Sequence, residues 1–310
     1  MSSISSDSIS TCSNCGKGGE GNSDGIQLKS CAACRMVKYC SRECQAAHRP
    51  QHKKACKKRA AELYDEKLFK EPPPPEDCPI CMLPMPISGD EKTFKSCCGK
   101  TICNGCIYAI AMSKGGTKQL CAYCRTPPPT SYEEEIKKLK KLLDKDNSVA
   151  YLQLAGDYAA GSLLPQDHQK ANELYLKGAE LGCAASYFNL GLAYRYGWGV
   201  ERDDKKVKHY TELAAMGGYI HARHNLGCEE WNTGNYFRAV KHFIMAARAG
   251  EKVSLDMVKK GFMKGFVSKD EYANTLRAYH ERQKEMKSDQ RDQAAASGIF
   301  HTLRKQQSGL

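Results

Sequence analysis

No stretch of the 310-residue chain approaches the roughly 18 consecutive apolar residues that a membrane span requires. The opening MSSISSDSIS lacks the charged-then-apolar run of a secretory leader. Cysteine all but disappears after Cys124, where only Cys183 and Cys228 follow. These absences argue against a membrane protein and a secreted disulfide scaffold. The expected location is inside the cell, in the cytoplasm and/or nucleus, where clustered cysteines bind metal more often than they form disulfides.

What is present is concentrated. Of 17 cysteines, fifteen lie between Cys12 and Cys124. The formal charge is +12, but fifteen thiolates on four zinc ions would set fifteen negative charges against eight positive ones, leaving about +5. Charge alone therefore argues poorly for nucleic acid. Neither cysteine cluster has the C2H2 spacing that lays a helix in the major groove.

Seven of the twelve prolines fall in two runs, Pro72–Pro75 and Pro127–Pro129. Both should be extended and semi-rigid, because proline fixes φ and removes a helix donor. They flank one cysteine cluster and separate it from another before it and a cysteine-poor region after it. The expected order is a multidomain chain of two small zinc-stabilised cross-brace domains followed by an all-α helical solenoid. In detail, residues 1–11 are a polar disordered start and 12–60 the first zinc domain. A helix end and proline linker follow at 61–75, the second zinc domain at 76–126, and a linker with an amphipathic helix at 127–147. Repeats then occupy 148–252, capping helices 253–296, and a disordered tail 297–310.

The first cluster pairs Cys12-x2-Cys15, Cys31-x2-Cys34, Cys40-x3-Cys44 and His52-x3-Cys56. Eight ligands suffice for two closed tetrahedral zinc sites, which fold a segment too short to build its own core. The run KYCSRECQAAHRPQHKKAC after two CxxC pairs resembles a MYND zinc finger. That resemblance implies interleaving, with Cys12, Cys15, Cys40 and Cys44 on one zinc and Cys31, Cys34, His52 and Cys56 on the other. It leaves His48 outside both sets. It also implies docking of proline-containing peptides. The Cys15–Cys31 gap is long for the family, which places a glycine-rich loop at Gly16–Gly25, and Arg49 stands where a tryptophan is frequent. Lys53, Lys54, Lys57, Lys58 and Arg59 read as a solvated helix face, with a nuclear signal or phosphate contact as the alternative.

The second cluster pairs Cys78/Cys81, Cys97/Cys98, Cys103/Cys106 and Cys121/Cys124. It is similar to a RING finger in which cysteine replaces the usual histidine, since Lys100 has no lone pair to offer zinc while protonated. The resemblance assigns Cys78, Cys81, Cys103 and Cys106 to one zinc and Cys97, Cys98, Cys121 and Cys124 to the other. In the alternative, one of the vicinal pair is a bystander. It further implies that Ile80 and Ile110 contact a ubiquitin-conjugating enzyme and that Arg125 bridges that enzyme to ubiquitin. Ala122 replaces a proline frequent in active members, so a non-enzymatic scaffold stays open beside an E3 ubiquitin ligase.

After Thr130 a segment recurs. Leu154, Leu190 and Leu226 are spaced by 36, as are Gly161 and Gly197, and Gly182 and Gly218; Gly250 follows after 32. Self-similarity at this period signals a helical solenoid. Gly161 and Gly197 should end the first helix of a copy, and Asp167 or Asp204 should cap the second. The pattern resembles Sel1-like repeats, relatives of the tetratricopeptide array, which implies a protein substrate or adaptor as ligand. Trp198, Trp231, His209, His221, His224, His242, Cys183 and Cys228 read as packing residues. Ser268-Lys-Asp-Glu271 has the form of a capping box opening a helix over the last repeat, with KEMKSDQRDQ projecting into water.

Overall fold

The computed structural model describes residues 11–18, 27–113 and 120–298. The expected disordered ends fall almost wholly outside them, as does most of the glycine-rich loop. The chain forms two compact units, residues 1–70 and 71–310.

The first unit holds a two-residue antiparallel pair, β1 (Lys29–Ser30) and β2 (Lys38–Tyr39), and the long helix α1 (Arg42–Leu68). Ser41 caps α1 by accepting from the Cys44 N–H at 3.2 Å. Spacing of four puts Cys44, His48, His52 and Cys56 along one stripe of this helix. Apolar burial is slight and centres on Cys12, Cys31, Cys34 and Tyr39. Metal ligands thus take the place of a hydrophobic core.

The second unit begins with another cysteine module. Strands β3 (Lys92–Lys95) and β4 (Lys100–Cys103) pair antiparallel, with Lys92 opposite Cys103, and helix α2 (Asn104–Met112) follows directly. Buried Asn104 joins the parts: it accepts from Thr93 Oγ1 at 2.7 Å and donates to the Asp90 carbonyl at 2.7 Å. Helix α3 (Tyr132–Leu143) is the expected amphipathic segment and buries Ile136, Leu139 and Leu142 against α4 (Ser148–Ala160). Phe94 of β3 packs on the same core.

The solenoid consists of three helix pairs: α4 with α5 (His168–Glu180), α6 (Ala184–Tyr196) with α7 (Asp204–Met216), and α8 (Ile220–Asn232) with α9 (Tyr236–Arg248). The recurrent leucines Leu154, Leu190 and Leu226 are all buried, as are Ala179, Ala215 and Ala247. Gly161 and Gly197 end their helices at φ 69° and 76°, a left-handed conformation that glycine adopts without a Cβ penalty. Asp167 caps α5 as expected, but Asp203 rather than Asp204 caps α7, accepting from Lys205 N–H (2.9 Å) and Lys206 N–H (3.1 Å). Asp204 is already the first helical residue, so its carboxylate lies beyond the capping position.

Three helices close the array: α10 (Lys252–Met263), α11 (Lys269–Met286) and α12 (Asp289–Ala296). The capping box forms at Ser268 and Glu271, and Tyr272, Leu276 and Tyr279 cover the core of the last repeat. One expectation holds only in part. Seven of the ten residues of KEMKSDQRDQ are exposed, but the segment does not run on as one projecting helix: α11 ends at Met286 and α12 packs on α2, with Arg291 turned inward. Trp231 packs as expected, whereas Trp198 is half exposed and stacks on Tyr196 and His168. Among the described residues no helix is long and apolar enough to cross a membrane.

Candidate metal centres

Four of the five C-x2-C pairs are presented by the same local turn, and the fifth, Cys103 and Cys106, stands at the start of α2. In the turn, the residue four after the first cysteine adopts a left-handed conformation and donates its N–H back to that cysteine's carbonyl. Gly16 (φ 75°), Arg35 (57°), Met82 (55°) and Arg125 (59°) fill this place, with N···O distances of 2.9, 2.9, 2.9 and 3.0 Å. The N–H of the first cysteine is in turn bonded to a carbonyl further on, at Lys17, Val37, Leu83 or Thr126. Two thiols are thereby aimed at one point. Only Gly16 announces this turn by its residue type; the other three carry the strain of a side chain at positive φ.

The sixteen expected ligands come together as four groups of four: Cys12, Cys15, Cys40 and Cys44; Cys31, Cys34, His52 and Cys56; Cys78, Cys81, Cys103 and Cys106; Cys97, Cys98, Cys121 and Cys124. Within each group all ligand atoms lie within 4.8 Å of one another. Closest approaches include Cys15–Cys40 at 3.5 Å, Cys31–Cys56 and Cys81–Cys103 at 3.8 Å, and Cys98–Cys121 at 3.9 Å. A tetrahedral zinc with sulfur at about 2.3 Å sets its sulfurs about 3.8 Å apart. The His52 Nε2 stands 3.2 Å from Cys34 Sγ, on the side a ligand requires. The donor chemistry and the spacing both fit zinc, so the protein binds four zinc ions, two in each cysteine module. Each site has four protein ligands and no place for a metal-bound water. The metals fold the chain and do no hydrolytic chemistry.

Both vicinal thiols face the same group: Cys97 lies 3.4 Å from Cys124, and Cys98 3.9 Å from Cys121. The hairpin between β3 and β4 allows this by turning at Cys97 and Cys98 before Gly99 (φ 67°). Without a cation, ligands in contact divide their protons unevenly, as the three thiols gathered with His52 show. Burial, aided by hydrogen bonds with Cys31 and Cys34, pushes Cys56 up to about 12. Burial also opposes ionisation of Cys31, but the Cys34 N–H and the His52 ring outweigh it and bring that thiol down to about 6. A dication removes this conflict by stabilising every thiolate at once.

Sequence reasoning left His48 outside the ligand sets without giving it a task. Its ring stacks on His52 at 5.6 Å between centroids, and its Nδ1 lies 3.0 Å from the hydroxyl of buried Tyr39. Tyr39 and His48 thus fix the orientation of a liganding ring. No sequence spacing signalled Tyr39. Lys53, Lys54, Lys57 and Lys58 are exposed on α1, while Arg59 is held by Glu62 (3.1 Å) and Glu66 (2.8 Å). Ile80 and Ile110 are half-buried against the metal-bearing core of the second module, and Arg125 is exposed.

Comparison with known proteins agrees with two parts of this picture. A family model for the MYND finger matches residues 12–56, and one for the Sel1 repeat matches residues 148–183, 184–219 and 221–251. The cluster at 78–124 lies outside both. Among solved structures, the chain is similar to a Sel1 repeat protein from Oxalobacter formigenes, at 23% identity and TM-score 0.42, over 50% of this chain and 66% of that one. It is also similar to c5321, a protective antigen of uropathogenic Escherichia coli strains displaying an SLR fold, at 22% identity and TM-score 0.42, over 51% of this chain and 35% of that one. It therefore spans less than two thirds of either. No curated protein matches the chain. The zinc-binding MYND match and the Sel1 matches point to a protein-interaction scaffold.

Proposed function

We propose that this scaffold is a RING-type E3 ubiquitin ligase, with residues 76–126 as the RING. The observation that carries the proposal is a second interleaved pair of four-ligand groups outside the MYND finger. In this reading Ile80 and Ile110 receive a ubiquitin-conjugating enzyme through their exposed parts. Arg125, exposed beside the last ligand, donates to carbonyls of enzyme and ubiquitin together. No nucleophile of this chain takes part. The acceleration comes from holding a flexible thioester conjugate in one reactive pose. MYND would bring proline-containing peptides and the solenoid a protein substrate or adaptor, in the cytoplasm and/or nucleus.

A second reading is a non-enzymatic scaffold. It is supported by Ala122, which is buried where active members often carry proline, and by the fastening of the module to the solenoid. Ser96 Oγ donates to Glu135 at 2.8 Å, and Asn147 Nδ2 donates to the Gly99 carbonyl at 3.1 Å.

The test is discharge of ubiquitin from a panel of charged conjugating enzymes to free lysine, catalysed by the full zinc-loaded chain. Because residue 125 needs φ near 59°, Arg125→Gly removes the guanidinium while keeping the turn, and Ile80→Ala trims the apolar contact. Acceleration lost in both variants at unchanged zinc content supports the ligase. No acceleration with any enzyme leaves the scaffold.

A further inference from the structure

Helix α12 is polar in sequence, yet it lies along α2 with Ala294 buried and Arg291 turned into the second zinc module. The Arg291 guanidinium has four partners. Nη1 donates to the carbonyls of Pro84 (2.8 Å) and Met286 (2.6 Å); Nη2 donates to the Leu83 carbonyl (3.4 Å) and to Cys81 Sγ (3.5 Å). The Leu83 carbonyl also receives the Cys78 N–H at 2.9 Å. One side chain therefore braces the turn that presents two ligands and touches a ligand sulfur directly. Gly105, between the ligands Cys103 and Cys106, makes the approach possible, since a Cβ there would stand 2.7 Å from the Arg291 backbone nitrogen.

Electrostatics favours the arrangement. Zinc with four thiolates carries a net charge of about −2, and a partly buried cation beside it offsets part of that charge. A guanidinium is suited to the position because its planar fork satisfies carbonyls and sulfur together.

We propose that Arg291 is a positioning residue of the Cys78, Cys81, Cys103 and Cys106 zinc site, supplied from the far end of the chain, so that docking of α12 and retention of this one zinc stabilise each other. Coupling of this kind is reciprocal: loss of the metal frees α12, and removal of α12 loosens the metal. The inference stands whether or not the module activates a conjugating enzyme.

The test uses the full chain loaded with 113Cd and, separately, with zinc. Four cadmium resonances are expected, and the one lost in Cys81→Ser identifies the site. In Arg291→Met that resonance shifts while the other three stay. One of four zinc equivalents then passes to a chelator about 10–100-fold faster, the usual effect of losing an outer-shell partner. Arg291→Lys, which keeps the cation, recovers part of the rate. A chain ending at Lys287 shows the same single-site change. An unmoved resonance with unchanged release in Arg291→Met overturns the proposal. So does equal loosening of all four sites, or loosening in the shortened chain alone.

Discussion

Gly99 and Asn147 join the second zinc module to the solenoid, and replacing Gly99 by Ala should expose that junction. Asn147 serves both sides: its Oδ1 accepts from Ala150 N–H at 2.9 Å, capping α4, and its Nδ2 donates to the Gly99 carbonyl at 3.1 Å. A Cβ on residue 99 would stand 2.7 Å from that Nδ2 and 3.0 Å from Leu142 Cδ2. The amide is the movable partner, because Leu142 is locked in the α3–α4 core. Swinging it away forfeits the cap, about 1 kcal/mol, and the cross-module hydrogen bond, about 1 kcal/mol. Alanine at φ 67° adds about 1 kcal/mol of backbone strain. Gly99→Ala should therefore cost about 3 kcal/mol and Asn147→Ala about 2 kcal/mol. The double variant should cost about 3 kcal/mol, since the displaced amide is already gone, leaving a coupling of about 2 kcal/mol. The assay is urea unfolding of the solenoid helices by circular dichroism, with zinc content held at four per chain. A double variant near 5 kcal/mol, the simple sum, would refute the idea that hairpin tip and α4 share one side chain.

Three further outcomes are expected. Burial depresses the His242 ring to about 3, with the Arg223, Arg238 and Lys208 charges acting in the same direction, against 6.5 in the unfolded chain. Its contribution to stability is complete above pH 6.5 and is lost as pH falls toward 3, by up to about 1.4 kcal/mol per pH unit; His242→Gln should flatten the pH dependence of unfolding over that window. Asp203→Ala should cost about 1 kcal/mol by denaturant titration through loss of the α7 cap, and Asp204→Ala only a few tenths. Stripping zinc with a chelator should unfold residues 12–60, which have little apolar core, while most solenoid helicity persists in far-ultraviolet circular dichroism. Loss of the whole helical signal would contradict that division.

Metal ligands and repeats were legible because both obey strict spacing. Paired spacing marks the ligands, the resemblance to interleaved zinc fingers supplies their grouping, and a 36-residue period signals a stacked helical unit. Capping was legible where one candidate existed, as at Ser268 and Glu271. It was ambiguous where two acids adjoin, as at Asp203 and Asp204, because one residue of register separates a cap from a first turn. Left-handed Arg35, Met82 and Arg125 gave no sign, since the metal imposes a conformation their side chains do not favour. Arg291 was misread for another reason. Its polarity is satisfied by carbonyls and a sulfur some 200 residues away in sequence, and local pattern holds no information about such partners.

The central claim is that four closed zinc sites, interleaved two by two, build both cysteine modules. Native mass spectrometry of the full chain tests it most directly, with Cys44→Ser, His52→Ala, Cys81→Ser and Cys98→Ser measured alongside. Four zinc ions are expected for the unaltered chain and three for each variant. Fewer than four in the unaltered chain, or four retained in Cys98→Ser, would contradict the four-site arrangement.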